Sequence, residues 1–527
     1  MGAGSGAAPG RSVMTGLSQV LRVVRQAGLK KPLRSLGSGV AMTLRHGPSL
    51  YAVARWSARR FPDVPALVEP QGSLTFRQLV DRTDRVAAAL AERVTPGSVI
   101  GLLARNHGTF VTTLLASQRL GLRTVLLNTS WSARQTLEAC RAHALELVVV
   151  DDDFLPDLLA LDEGLRCWTT SEVQAQEGGL APGKFPPHGL PGSIVILTSG
   201  STGPPKAVRR DARFLEVLPT AVALLQQLRL RAHAPTLLTV PLFHGHGLST
   251  LALCLTMGSP LHVFARGTPE AYWQALQQKD IEVLVVVPTV LYRLLEVSCA
   301  APAPHLRTIV CGSAPLGAAL AGRTLSRFGP VLYNLYGTSE CGLISLATPE
   351  HLLAAPDSVG YVLPGVKVGI RRADGTPARP EETGEVMVQG VMVRGGFGNS
   401  LPTGDLGRRS ASGLLTLAGR RDDLLICGGE NVSPEAVESR IEQLSYVREC
   451  AVMGIPSEEY GQGLAAFVVL NPGMGHVTRQ MVECDCRPLL PRMLRPTRLA
   501  LVDELPRNAL GKLDRQRLGS LWESPES

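Results

Sequence analysis

The residues whose types and spacing most plainly allow chemistry lie in the run Ile194-Val195-Ile196-Leu197-Thr198-Ser199-Gly200-Ser201-Thr202-Gly203-Pro204-Pro205-Lys206. An apolar, β-branched stretch gives way to four hydroxyls, two glycines and one lysine. Glycines let main-chain N–H groups approach an anion closely. The hydroxyls and the ammonium add further donors, so the loop suits a polyphosphate. The spacing G-x-x-x-x-G-K-[ST] is absent, so it is not a Walker A loop. No glycine stands two residues before Ser201, so it is not a nucleophile elbow either. The competing reading is a polar turn with no ligand. Alone, Tyr336 reads as a core tyrosine, Asp405 in Thr403-Gly404-Asp405 as a turn former, and Lys512 as a solvated lysine near the end of the chain. His244-x-His246 offers two imidazoles but no third ligand nearby, which argues against a zinc site.

These segments must be held by regular elements. Thr75-x-x-Gln78 and Ser132-x-x-Gln135 are capping boxes that open helices. Thr268-Pro269-Glu270 gives an N-cap, a first-turn proline and an acid in order. Short apolar runs at 100–103, 124–127, 147–150, 194–197, 237–240, 261–264, 283–287 and 308–311 read as buried strands between helices. That alternation predicts an α/β body of parallel sheets covered on both faces. From about residue 359 to 393 glycine-punctuated alternation predicts a small β subdomain. Beyond Gly419, Ser433-Pro434 is expected to cap a helix to about residue 444, with strands at 447–453 and 465–469 and a further helix near 478–489.

Composition narrows the classes. The 527 residues are 45% hydrophobic and 19% charged, as in a globular chain. Lys and Arg exceed Asp and Glu by eight, but residues 1–62 hold ten basic and no acidic residues. The remainder is close to neutral, so no protein-wide nucleic-acid surface is expected. The leader has three readings: a basic amphipathic stretch near 14–24 on an anionic membrane surface, a mitochondrial transit peptide, or a solvated leader with one helix packed on the body. No unbroken apolar run is long enough for a membrane span, since Gly258-Ser259-Pro260 divides the best candidate. Ten scattered cysteines without a CxxC pair predict reduced thiols and a cytoplasmic setting.

Several motifs follow the loop in order, and together they resemble the acyl-adenylate-forming (AMP-binding) superfamily. They are Pro241-Leu242-Phe243-His244-Gly245-His246-Gly247, Cys311-Gly312-Ser313-Ala314-Pro315-Leu316, Tyr336-Gly337-Thr338-Ser339-Glu340, Thr403-Gly404-Asp405, Gly419-Arg420-Arg421-Asp422-Asp423, Gly428-Gly429-Glu430-Asn431-Val432-Ser433-Pro434-Glu435 and Arg507-Asn508-Ala509-Leu510-Gly511-Lys512-Leu513-Asp514-Arg515. The resemblance implies a large N-terminal domain over 63–418 and a smaller, mobile α+β domain over 419–527, after a leader of 1–62. It implies ATP, Mg²⁺ and CoA as reactants and cofactor. By the same resemblance Thr198, Ser199, Gly200, Ser201, Thr202, Gly203 and Lys206 hold phosphates. Main-chain groups of Gly312, Ser313 and Ala314 read the adenine edge, and Tyr336 followed by Gly337 stacks on it. Thr338 donates to the α-phosphate and Glu340 ligates Mg²⁺. Asp405 and Arg420 hold the ribose. Lys512 orients the attacking carboxylate and neutralises charge. Asp422 is the hinge, and Gly428 and Gly429 line the path of the CoA thiol. Ala207 departs from the family's usual glycine, and the stretch from Val391 to Pro402 is shorter than in most relatives.

The acid is chosen less directly. Amino-acid-activating relatives typically carry an aspartate after the aromatic at Phe243; His244 stands there and offers no anion to an ammonium group. A simple carboxylic acid is therefore expected, with His244 orienting its carboxylate or serving as a structural histidine. The Gly-Gly-Glu-Asn-Val-Ser-Pro stretch resembles fatty acyl-CoA synthetases, so the expected substrate is a medium- or long-chain fatty acid. The alternatives are a fatty acyl-AMP ligase that loads a carrier protein and a non-catalytic ligand-binding relative.

Overall fold

The computed structural model describes residues 32–179, 192–198, 206–209, 214–297, 303–338, 340–390, 400–421, 425–427, 430–457, 461–490, 494–508 and 511–523. The chain divides into two units, Met1–Val286 with Val297–Val310, and Val287–Glu296 with Cys311–Ser527.

In the first unit five strands lie side by side in parallel: Cys167–Thr169, Leu147–Val150, Val99–Leu103, Arg123–Leu126 and Ser193–Thr198. Lys206–Arg209 joins antiparallel at the edge. All four residues of Leu147–Val150 are buried, as a strand covered on both faces requires. A second set pairs Val283–Val286, Thr236–Leu238, Leu261–His262 and Pro65–Glu69 in parallel, with Gly72–Thr75 antiparallel beside Pro65–Glu69. The capping boxes form as the sequence predicts. Thr75 opens Phe76–Ala91 and Ser132 opens Ala133–Ala142, each with its reciprocal glutamine. Thr268 caps Pro269–Gln278. Helix Gly245–Met257 stops at Gly258, which takes a left-handed φ of 66°. No helix among the described residues is long and apolar enough to cross a membrane.

Part of the basic leader belongs to the body. Helix Leu50–Arg60, capped by Ser49, buries Tyr51, Ala52, Ala54 and Ser57. Arg60 stacks over Trp56 at 4.0 Å, and the Trp56 indole donates to Ser38 Oγ in the preceding helix Pro32–His46. The amphipathic stretch near 14–24 lies outside the described residues.

In the second unit seven strands form an antiparallel series: Leu332–Thr338, Gly342–Ala347, Ser358–Val362, Leu415–Arg420, Leu401–Arg409, Gly384–Gly390 and Val366–Arg371. The predicted helix-free β segment supplies three of these strands, Ser358–Val362, Val366–Arg371 and Gly384–Gly390. Further on, Val447–Ser457 pairs antiparallel with Gly461–Leu470, which pairs in parallel with Arg498–Leu501. Period-two alternation divides the two faces of this small sheet. Cys450, Val452, Leu464, Ala466 and Val468 pack under helices Pro434–Ile441 and Arg479–Leu489. Ala451, Ala465, Phe467 and Val469 face Leu505 and Leu518. One expectation needs correction. Ser433 sits at the N-cap of Pro434–Ile441 but its side chain makes no cap hydrogen bond. It donates to the carbonyl of Ala418 at 3.0 Å instead, and lies 2.7 Å from Glu435 Oε2.

Candidate active site

Of the candidate residues, 312–314, 336–338, 340, 405, 420 and 512 are described in the second unit, which brings Tyr336, Glu340, Asp405, Arg420 and Lys512 together. Strand Thr308–Gly312 ends at a buried Gly312, and Ser313 immediately takes a left-handed φ of 72°. A non-glycine residue held there is strained, and the turn it makes fixes the direction of the main chain at Ser313-Ala314. Gly337 is required by close approach. A Cβ there would lie 2.5 Å from the carbonyl oxygen of Gly342 on the paired strand. The ladder shifts by a residue between Tyr336 and Gly337, so that Tyr336 pairs with Ser345 and Thr338 with Gly342 at the end of Leu332–Thr338. Thr338 Oγ1 accepts from the Cys341 amide at 3.0 Å, closing the turn that carries the exposed Glu340.

Asp405 is the centre of the polar network. Strand pairing sets it directly opposite Arg420, and the Arg420 guanidinium donates to Asp405 Oδ1 at 3.3 Å. The Tyr336 hydroxyl donates to Asp405 Oδ2 at 2.6 Å, while the Asp405 amide donates to Thr403 Oγ1. Burial raises the Asp405 carboxyl above its ordinary value, opposed by the Tyr336 hydrogen bond, Arg420, Lys512 and Thr403. Tyr336 is raised too, first by burial and then by the Asp405 carboxylate. The phenol therefore remains a donor. Gly404 has a φ of 77°, which lets the chain turn so that Asp405 points at Tyr336.

Lys512 is presented by a tight turn. The Asn508 amide donates to the Lys512 carbonyl, the Gly511 amide to the Asn508 carbonyl, and the Lys512 amide to Asn508 Oδ1. Gly511 has a φ of 68°. Surrounding protein lowers the Lys512 ammonium, helped by Arg420 and opposed by Asp405 and Glu340. The residue as a whole stays exposed, so solvent screens part of that effect. These four charged groups thus act on one another. A lone carboxylate such as Glu340 matches the chemistry of Mg²⁺, a hard cation that takes one or two carboxylates plus substrate phosphates. No cluster of three or more metal-ligating side chains occurs among the described residues.

In the first unit, Thr198 pairs with Lys206 across antiparallel strands, so the two residues close the candidate phosphate loop. Residues Ser199, Gly200, Ser201, Thr202 and Gly203 lie outside the described residues, as do Asp422, Gly428, Gly429 and 391–399. His244 is the N-cap of Gly245–Met257 and its ring lies 4.3 Å from Phe243. Burial pushes His246 down to about 4. Gly247 has no room for a Cβ, which would fall 2.2 Å from the Pro241 carbonyl oxygen.

Two parts of the site carry no motif signal. The Tyr336–Asp405 hydrogen bond joins residues 69 positions apart. Nor does any motif include Thr289, whose hydroxyl donates to the Gly511 carbonyl at 2.6 Å.

Residues 54–397 match the AMP-binding enzyme model, and residues 436–512 match the AMP-binding enzyme C-terminal domain. The chain belongs to the AMP-binding enzyme family. It is 30% identical over 479 residues to the 2-succinylbenzoate–CoA ligase of Bacillus pumilus, covering 87% of this chain and 95% of that one. It is also 30% identical to the indoleacetate–CoA ligase of Aromatoleum aromaticum, covering 86% and 94%. The o-succinylbenzoate CoA synthetase of Bacillus subtilis, solved with its acyl-adenylate intermediate, superposes with a TM-score of 0.77 at 27% identity, covering 88% and 97%. The fold is the family's α/β fold with a large N-terminal sheet domain and a small C-terminal domain. The family's CoA ligases form AMP from ATP and use Mg²⁺ and CoA.

The same findings correct the fatty-acid expectation. Relatives that match over nearly their full length at up to 30% identity are named for 2-succinylbenzoate and indoleacetate, which carry aromatic rings, and point away from a fatty acid. The Gly-Gly-Glu-Asn-Val-Ser-Pro stretch misled because it belongs to the C-terminal domain. An acyl pocket is built from side chains of several other elements.

Proposed function

We propose that this protein is an AMP-forming CoA ligase for an aromatic carboxylic acid. The observation that carries the reading is the grouping of Asp405, Arg420, Tyr336, Glu340 and Lys512, all electrostatically linked, in a chain of this family. Support for an aromatic acid comes from the substrates named for the relatives at 30% identity. His244, where an anion would be needed for an amino acid, supports an acid without an ammonium group.

In the first step a carboxylate oxygen of the acid attacks the α-phosphorus of ATP. The bond from that phosphorus to the bridging oxygen breaks and pyrophosphate leaves. Asp405 accepts from the ribose hydroxyls, with Tyr336 and Arg420 fixing its two oxygens. Tyr336 also closes one wall of the adenine position, where main-chain groups of Gly312, Ser313 and Ala314 read the base edge. Lys512 holds the entering carboxylate against the α-phosphate and offsets charge as the bond forms. Glu340 would hold Mg²⁺ jointly with phosphate oxygens, and the ion supplies charge neutralisation there. Thr338 and the hydroxyls of 198–202, with Lys206, supply the remaining phosphate donors. In the second step the CoA sulfur bonds to the acyl carbon, the carbon–oxygen bond to AMP breaks, and the thiol proton passes to solvent. Asp422 serves as the hinge and Gly428-Gly429 as the thiol path.

Mass spectrometry of the purified protein with Mg²⁺-ATP, CoA and a panel of aromatic acids tests this. Aryl-CoA and AMP are expected in equal amounts, with acyl-AMP seen when CoA is withheld. Failure of every aromatic acid to yield either product would overturn the reading.

A further inference from the structure

The turn that presents Lys512 is fastened from outside the known motifs. Thr289, in helix Pro288–Glu296, donates its hydroxyl to the Gly511 carbonyl at 2.6 Å. The Arg507 guanidinium donates to that same carbonyl at 2.9 Å and to Thr289 Oγ1 at 3.4 Å. Its other amino group holds Glu449 Oε2 at 2.5 Å, tying the turn to strand Val447–Ser457. The residue preceding Lys512 therefore has its carbonyl gripped by two donors, and the hydroxyl donor is itself oriented by the guanidinium. A second observation marks the contact as close-fitting. A Cβ on Gly511 would lie 2.6 Å from Thr289 Oγ1 and 2.8 Å from Thr289 Cβ. The absent side chain at 511 thus serves the approach to Thr289 as well as the left-handed φ of 68°.

We infer that Thr289 is a positioning residue for the acid-activating step: with Arg507 it clamps the Gly511 carbonyl and so fixes where the Lys512 ammonium sits. The inference rests on the reading of Lys512 given above. The physical basis is that a reacting group displaced by about 1 Å can cost as much as 10²-fold in rate. A long, exposed lysine stem on an unclamped turn samples many positions. The second step starts from a formed acyl-AMP, when Lys512 has already done its part.

Thr289→Val keeps the shape and removes the hydroxyl; Thr289→Ser keeps the hydroxyl. Thr289→Val is expected to lower kcat for acyl-AMP formation by roughly 10- to 100-fold, with the KM for ATP little changed. Thr289→Ser restores the rate, and thioester formation from supplied acyl-AMP stays near the wild-type rate in both. In a Lys512→Ala background Thr289→Val should add almost nothing, because the two act as one unit. A full additional loss in that background, or an unaffected Thr289→Val, would overturn the inference. An activity-independent readout separates this from the proposed function. Trypsin cleavage after Lys512 is expected to accelerate in Thr289→Val and not in Thr289→Ser. If the wild type forms no acyl-AMP from any acid, the ligase reading falls. The cleavage ratio then still decides the clamp, and equal cleavage of all three proteins would overturn it.

Discussion

Asp405 does two things that ordinarily conflict. On the proposed reading it must be ionised to accept from ribose hydroxyls, yet burial raises its carboxyl above the ordinary aspartate value. Tyr336 and Arg420 relieve that conflict by donating to separate oxygens. The carboxyl protonates at a higher pH than a free aspartate does, so affinity for ATP is expected to weaken as pH falls, beginning above the ordinary carboxylate range. Measuring the KM for ATP against pH checks this; Asp405→Asn should be weak throughout and lose the acid limb. Tyr336→Phe removes one donor from a buried carboxylate, a loss of about 1–3 kcal/mol, and is expected to raise the KM for ATP and move the acid limb further up. Residue identities at this scale were legible in the sequence because the motifs are contiguous. The Tyr336–Asp405 bond and Thr289 were not, because strand pairing and helix placement bring them in from far along the chain.

At the scale of elements, local chemistry and tertiary contact compete. The boxes at Thr75 and Ser132 were legible because each motif satisfies its own helix end. Ser433 takes the predicted N-cap position, but its hydroxyl is drawn to Ala418 rather than to the helix end, a choice invisible to local spacing. Helix Pro434–Ile441 and its C-cap also carry two half-buried acids that no motif marks, Glu438 and Glu442. Glu438 Oε1 accepts from the Val452 amide and faces Arg515, with Glu435, Glu442 and Cys450 nearby. Glu442 Oε1 accepts from the Cys450 amide. Burial raises Glu438 to about 8 and Glu442 to about 7, from 4.5. The folded state then holds more protons than the unfolded state between 4.5 and about 8. Their contribution to stability is fully present below 4.5 and is lost as pH rises through the folded values. Amide hydrogen exchange in Val447–Ser457 of the intact protein should therefore show less protection at pH 8.5 than at pH 6, beyond the intrinsic rate change. Glu438→Gln, which keeps an acceptor for Val452, should flatten that dependence. Gly337→Ala is a separate test of sheet register. The added methyl meets the Gly342 carbonyl oxygen at 2.5 Å, so a loss of about 1–3 kcal/mol in unfolding free energy is expected.

For the whole molecule, alternating strands and helices made the covered parallel sheets of the first unit legible, since burial on both faces forces continuous apolar runs such as Leu147–Val150. The glycine-rich alternation likewise marked the antiparallel series of the second unit. The acid was not legible. Motifs record the part of the reaction that every member of the family shares, whereas substrate choice is spread over side chains that no spacing rule links. His244 favoured an acid without an ammonium group on charge grounds but could not distinguish an aromatic ring from an alkyl chain. On the proposed reading Lys512, with Asp405, Arg420 and Glu340 acting on its ammonium, drives attack of an aromatic carboxylate on ATP. The most direct measurement is acid-dependent exchange of labelled pyrophosphate into ATP, for the wild type and Lys512→Ala, without CoA. Exchange is expected to require an aromatic acid and to fall by about 10²-fold or more in Lys512→Ala. Exchange equal in the two proteins, or absent from the wild type with every aromatic acid, would contradict that reading.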